Sequence, residues 1–224
     1  MFKPQKLGSN NFLSSLDLTK EEILYIFNCA NQFKNHSLEI NLNNKVLGLI
    51  FNKASTRTRV SFQVAMSRLG GTSIDLNPNT SQIGRGEPIK DTARVLSRYC
   101  DVLAIRTFNH SDLEEYAKWS DKPIINALTD LEHPCQALAD YLTVKEVFGK
   151  LEGLVLTFVG DGNNVANSLI LCGLLLGVEV RIACPNGFEP NPEIIKKVKE
   201  LDNFSNLKII NDPIKAVSGS NILY

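Results

Sequence analysis

The segment Phe51-Asn52-Lys53-Ala54-Ser55-Thr56-Arg57-Thr58-Arg59 gathers hydroxyl and guanidinium groups where an apolar run gives way to a helical pattern. A helix starting there leaves its first backbone N–H groups without intrahelical partners and presents a positive dipole end; both favour an anion. Ser55, Thr56 and Thr58 add hydroxyl donors. Arg57 and Arg59 add permanent cations whose planar fork fits phosphate. The glycines and the Gly-Lys-Ser/Thr ending of a P-loop are absent. The same residues also fit an ordinary Ser/Thr helix cap with solvated arginines.

Four further groups have chemical potential. Glu132-His133-Pro134-Cys135-Gln136 stands at a second helix start. The dipole there disfavours imidazolium, so neutral His133 could donate to a carbonyl or phosphoryl oxygen, and Gln136 offers both a donor and an acceptor. A capping histidine on a connecting loop is the alternative. Cys135 is a nucleophile only on the strength of that neighbour, and nothing else marks a thiol enzyme. Arg106 ends the apolar run 102–106, at the sheet edge where open α/β proteins bind ligands. A structural ion pair with Asp130 or Glu132 would explain it equally well. Gly160-Asp161-Gly162-Asn163-Asn164 lacks the third glycine of the dinucleotide fingerprint, and Cys184-Pro185 stands where its acidic residue belongs. That disfavours a nicotinamide site. The turn either presents Asn164 to a polar small molecule or is a tight turn with Asx capping. The polar loop from Asn79 to Glu87, with Gln82 in it, reads as a lid, an arm towards a neighbouring subunit, or a solvated loop.

These groups need a scaffold, and the pattern supplies one. Thr19 and Glu22 form a capping box ahead of a helix with Ile23, Ile26, Phe27 and Ala30 on one face. Short β-branched runs at 46–51, 72–76, 102–108 and 123–128 alternate with helical patterns at 58–69, 89–99, 112–119 and 134–148. A second series has strands at 154–159, 178–183 and 207–210, helices at 164–176 and 192–200, and the start of a strand at 221–224. The expected class is α/β: two parallel-sheet, three-layer domains, 1–148 and 149–224, the second incomplete. A chain that stops in an apolar strand reads as cut, with low stability expected from its exposed edge.

Composition narrows the possible functions. Lys+Arg and Asp+Glu number 24 each, which argues against a broad polyanion or nucleic-acid surface but leaves room for a local anion pocket. No apolar run is long enough to span a membrane, and the N-terminus lacks a signal core. Five cysteines without a CxxC pair suit reduced thiols and a cytoplasmic setting, and their spacing from the three histidines offers no zinc site.

Taken together, Ser55-Thr56-Arg57-Thr58-Arg59, Arg106 and His133-Pro134-Cys135-Gln136 resemble the carbamoyl-phosphate site of the transcarbamylase family, in order and spacing along nearly the whole chain. Aspartate transcarbamylases share the two larger motifs. The runs Asp91-Thr92-Ala93-Arg94-Val95-Leu96-Ser97 and Gly160-Asp161-Gly162-Asn163-Asn164 are more similar to the ornithine-specific branch. The resemblance implies that Ser55, Thr56, Arg57 and Thr58 hold phosphate. It implies that Arg106, His133 and Gln136 surround the carbamoyl group, with Thr58 helping to polarise its oxygen. Gln82 would reach the substrate of a neighbouring subunit in a homotrimer, and Asn164 would meet L-ornithine. Arg57, Arg106 and His133 are the expected catalytic residues.

Neither a metal nor an organic cofactor is implied, nor any nucleic-acid or membrane partner. The expected reaction is direct carbamoyl transfer from carbamoyl phosphate to the δ-amine of L-ornithine, in arginine biosynthesis. The family's Asp and Ser-Met-Gly loop, its His-Cys-Leu-Pro segment and its last helix do not occur before Tyr224. The chain alone is therefore expected to be inactive or nearly so. The alternatives are a non-catalytic carbamoyl-phosphate-binding fragment and a transcarbamylase for another amine such as aspartate.

Overall fold

The computed structural model describes residues 5–77 and 81–224. They group into two compact units: 5–13 with Leu24–Asp130, and Ser14–Ile23 with Leu131–Tyr224. Each unit is built on a four-stranded, wholly parallel sheet, as the strand–helix alternation requires. The capping box forms as expected at the head of α1 (Lys20–Lys34): the Thr19 N–H donates to Glu22 Oε2 (2.9 Å) and the Glu22 N–H to Thr19 Oγ1 (3.2 Å).

In the first unit, β1 (Val46–Phe51), β2 (Thr72–Leu76), β3 (Val102–Arg106) and β4 (Ile124–Leu128) lie in the order β2-β1-β3-β4. The intervening helices are α2 (Arg57–Arg68), α3 (Ile89–Leu96) and α4 (His110–Trp119). Successive side chains of a strand point to opposite faces. Leu47, Leu49 and Phe51 accordingly pack with Phe62 and Met66 of α2. Ile50, Leu103 and Ile105 pack instead with Ala93 of α3 and with Leu113 and Tyr116 of α4. The sheet is thus covered on both faces, which is why its strands read as continuous apolar runs.

Helix α3 stops at Leu96 rather than at 99. Ser97 Oγ donates back to the Ala93 carbonyl (2.7 Å), and the next bonds tighten to Arg98 N–H with Val95 O and Tyr99 N–H with Leu96 O, both 3.0 Å. An extended segment that the sequence left unassigned bridges β4: the Phe12 N–H donates to Ile124 O, and the Asn126 N–H to Phe12 O, both 2.8 Å.

In the second unit, β5 (Val155–Val159), β6 (Glu179–Ala183), β7 (Leu207–Ile210) and β8 (Ile222–Leu223) lie in the order β7-β6-β5-β8. Helix α5 (Pro134–Phe148) starts with its proline in the first turn, where the missing N–H costs least. By contacts α5 groups with this second sheet, whereas the sequence boundary leaves it in the first domain. Helix α6 (Asn164–Leu175) is buried from Ala166 to Leu174, so it is apolar all round. The Tyr141 hydroxyl of α5 donates to the Leu169 carbonyl (2.7 Å), and Gly173 gives it room: a Cβ there would lie 2.2 Å from that oxygen. Helix α7 (Pro192–Val198) is as expected. Helix α8 (Pro213–Val217) was not. Its signal was the pair Asp212-Pro213, since Asp212 accepts from the N–H groups of Ile214 and Lys215 at 3.0 and 3.2 Å.

Candidate active site

The order β2-β1-β3-β4 reverses direction between β1 and β3, and ligands of open parallel sheets bind outside the carboxyl ends of such a strand pair. Phe51 of β1 is registered against Arg106 of β3, and the Asn52 N–H donates to the Arg106 carbonyl (2.8 Å). The turn holding Ser55 and Thr56, the first residues of α2 and Arg106 therefore share one sheet edge.

Two local features fit this edge to an anion. Thr56, in the N-cap position of α2, makes no side-chain cap hydrogen bond, and the first intrahelical bond runs from Val60 N–H to Thr56 O (3.0 Å). The first-turn amides are thus left for another acceptor. By contrast, the N-terminus of α6 is closed by its own cap, Asn163 Oδ1 accepting from Val165 and Ala166 N–H at 2.9 and 3.1 Å. Arg106 is the second feature. Its Nε is buried without a hydrogen-bond partner among the described residues, and desolvation pulls its pKa down. Neither expected counter-ion serves it. Asp130 accepts from the His110 N–H (3.1 Å), and Glu132 is held elsewhere. The structure removes the ion-pair alternative and leaves a desolvated, unmatched cation.

The two arginines of the motif divide. Arg59 is committed to Asp75 (2.6 Å) and lies over the Phe51 ring at 5.2 Å, so it braces the sheet edge. Arg57, the first residue of α2, is exposed, and Ser55 and Thr58 are half-buried beside it. Gln82 is exposed in the short 3-10 turn Gln82–Arg85. Asn79 and Thr80 of the same loop lie outside the described residues.

In the second unit His133 takes the N-cap position of α5, buried and with no side-chain cap bond. Its N–H donates to Ser168 Oγ (2.8 Å). Gln136, one turn into α5, donates its Nε2 to Asp140 Oδ1 (2.9 Å). That bond fixes the amide, so Oε1 is the group left to accept. Cys135 is half-buried in the first turn of α5, and desolvation pushes its thiol up to about 12, away from the thiolate form. Asn164 is the first residue of α6, next to the capping Asn163.

Sequence reasoning missed three participants. Glu132 is fully buried; Oε1 accepts from Ser14 Oγ (2.6 Å), and Oε2 from Ser15 N–H (3.0 Å) and Ser168 Oγ (3.3 Å). The network fixes the residue before His133 and the hydroxyl that binds its N–H, with partners too distant in sequence for any local signal. Asp140 was legible in principle, as the i+4 neighbour of Gln136. Gly162 serves packing: a Cβ there would lie 2.2 Å from Pro190 N and 2.4 Å from the Glu189 carbonyl carbon.

Asp140 yields a pH prediction. Desolvation raises its pKa and outweighs the opposing hydrogen bond from Gln136. The native state therefore keeps this proton to higher pH than the unfolded chain. Its contribution to stability falls as pH rises from the ordinary carboxylate range, and the loss persists at neutral pH. Asp140→Asn should melt higher than the parent at pH 7, with the gap closing towards about pH 4. A lower melting temperature at pH 7 would contradict this.

Among the described residues no cluster of His, Cys, Asp and Glu could hold a metal ion, and no helix is long and apolar enough to cross a membrane.

Comparison with known proteins places the sequence and the fold in one family. The family model for the aspartate/ornithine carbamoyltransferase carbamoyl-P binding domain matches residues 10–146, and that for the Asp/Orn binding domain matches 152–224. An ornithine carbamoyltransferase of Prochlorococcus marinus subsp. pastoris is 72% identical over all of this chain and 73% of its own length. The crystal structure of ornithine carbamoyltransferase from Gloeobacter violaceus superposes with a TM-score of 0.89 at 49% identity, over 96% of this chain and 73% of that one. The Pyrococcus furiosus ornithine carbamoyltransferase does so with a TM-score of 0.91 at 44% identity, over 99% and 72%. With both domain models matched across nearly its whole length, the chain belongs to the aspartate/ornithine carbamoyltransferase family.

Proposed function

We propose that the protein transfers the carbamoyl group of carbamoyl phosphate to the δ-amine of L-ornithine, giving L-citrulline and phosphate. The observation that carries this reading is the buried, unpartnered Arg106 Nε registered against Phe51, on the edge where the uncapped α2 begins. A desolvated cation with no carboxylate is costly unless a ligand matches it.

The neutral amine attacks the carbamoyl carbon; a C–N bond forms, the C–O bond to phosphate breaks, and the amine loses a proton. Negative charge grows on the carbonyl oxygen and on the leaving phosphate. Arg106, His133 and Thr58 donate to the carbonyl oxygen. Ser55, Thr56, Arg57, Thr58 and the first-turn amides of α2 hold the phosphate. Donors fixed before the reaction typically contribute a few kcal/mol each to the transition state. Gln136, with its Nε2 committed to Asp140, accepts from the carbamoyl amide through Oε1. Asn164 contacts the amino-acid end of ornithine. Binding both substrates in attack geometry supplies much of the rest.

The proposal extends to a first domain, 1–148, for carbamoyl phosphate and a second, 149–224, for ornithine. It places the enzyme in the cytoplasm, in arginine biosynthesis. It further proposes a homotrimer in which Gln82 serves the neighbouring subunit. Exposed Val60 and Val64 on α2 and Ile74 on the edge strand β2 are apolar surface suited to such an association. The test is an assay with carbamoyl phosphate and either ornithine or aspartate, under conditions where binding of the first substrate has been shown. Citrulline and phosphate in equal amounts, with no carbamoyl-aspartate, is the expected result from a chain extended by the family's Ser-Met-Gly and His-Cys-Leu-Pro segments, with little or no turnover by residues 1–224 alone. Carbamoyl-aspartate would identify a different acceptor, and binding without citrulline in the extended chain would identify a carbamoyl-phosphate-binding chain.

A further inference from the structure

Away from that edge, α3, α4 and the turns that follow them border an open surface pocket of about 480 Å³ lined by Arg94, Arg98, Lys118, Trp119 and Asp121. Its volume lies in the range of small-ligand sites. Three cationic groups surround the half-buried indole of Trp119: Lys90 Nζ at 4.4 Å from the ring centroid, Arg94 Cζ at 4.8 Å and Lys118 Nζ at 5.4 Å. Among the described residues, none of Lys90, Arg94, Arg98 and Lys118 forms an ion pair with a carboxylate.

This concentration of charge costs the fold something. Lys90 and Arg94 stand four residues apart on one face of α3, where like charges destabilise a helix, and Arg98 follows in the turn after it. The helix dipole accounts for Lys118, in the last turn of α4, and for Arg94, in the last turn of α3. It does not account for Lys90, which sits in the first turn of α3, at the positive end. The contacts with Trp119 offset part of the repulsion. The three lining cations, together with Lys90 on the same indole but outside the lining, still leave an excess of three positive charges over the lining carboxylate Asp121. A single phosphate would not neutralise it; two or more linked phosphoryl groups would.

We propose that this pocket binds an oligophosphate anion, either inorganic pyrophosphate or the phosphate chain of a nucleotide, with Arg94 and Arg98 as forked donors, Lys90 and Lys118 as point charges, and Trp119 as the floor. The site is independent of the carbamoyl-transfer reading and uses none of its residues.

Trp119 is the sole tryptophan, so its fluorescence reports directly on the pocket. Pyrophosphate and ATP, each without metal, are titrated into the protein while fluorescence is followed, with calorimetry in parallel to register binding that leaves the indole unchanged. The expected result is saturable sub-millimolar binding of pyrophosphate reported by Trp119, its fluorescence midpoint raised at least about tenfold in Arg94→Ala/Arg98→Ala and unaltered in Arg57→Ala. Both replaced arginines are exposed, and Lys118→Gln gives the same test by a different side chain. Equal or tighter binding of ATP would identify the nucleotide as the source of the phosphates; weaker binding of ATP would identify the inorganic anion. No saturable binding of either, or an unchanged midpoint in both pocket variants, would overturn the proposal.

Discussion

Arg106→Met should weaken carbamoyl-phosphate binding by about two orders of magnitude, as expected for loss of a charge-assisted contact worth roughly 3 kcal/mol. The same change should leave the melting temperature unchanged or raise it. The two halves of this expectation have one cause. The side chain is half-buried and its guanidinium partly desolvated, and among the described residues its Nε has no hydrogen-bond partner and no carboxylate pairs with it. Methionine fills similar space without the cost of burying a charge, and replacing a poorly matched buried ion by an apolar side chain is often neutral or stabilising. A residue kept for the fold would behave the other way: its loss would lower the melting temperature and barely touch the ligand. Calorimetric affinity together with a thermal melt separates the two, and a destabilised variant with parental affinity would contradict the assignment.

Gly162→Val should be the most damaging single change to the second unit. An added Cβ would meet main-chain atoms, Pro190 N at 2.2 Å and the Glu189 carbonyl carbon at 2.4 Å, and the Gly162 N–H donates to Phe188 O (2.7 Å). Backbone held by its own hydrogen bond cannot swing aside as a flexible side chain could. The cost should exceed the usual overpacking penalty of about 1–3 kcal/mol, lowering the melting temperature by roughly 10 °C in a chain of this size. Gly187→Ala, at a glycine with open space around it but a positive φ, gives for comparison the cost of backbone strain without a clash. Equal melting temperatures for Gly162→Val and the parent would show that the turn 160–164 is not packed as described.

How much of this could be read from the sequence depended on how local each cause was. Helix starts at Thr19, Arg57 and Pro134 are written in a few consecutive residues, and the placement of Ser55–Thr58 depends on one strand end and one helix turn. Both were legible. Arg106 could be placed at a strand end, but whether it was paired depended on where Asp130 and Glu132 turned, and the sequence left that open. Arg59 belonged to the same motif as Arg57, and only the pairing of β2 beside β1 revealed that Asp75 claims it. Glu132 was least legible, since Ser14, Ser15 and Ser168 reach it from remote positions. In the turn 160–164, glycine spacing argued against a dinucleotide. The reason for Gly162 lay in a loop some way along the chain that no motif names.

The most direct test of the account is a calorimetric titration of the folded chain with carbamoyl phosphate, repeated on Arg57→Ala. Arg57 is exposed at the first position of α2, so its removal should leave the fold intact while taking away a cation from the uncapped helix end. The account predicts one saturable site in the parent and a loss of affinity of about a hundredfold or more in the variant, with unchanged circular dichroism. Equal affinity in the two proteins, or no binding by a folded parent, would contradict the assignment of this helix end as the phosphate site.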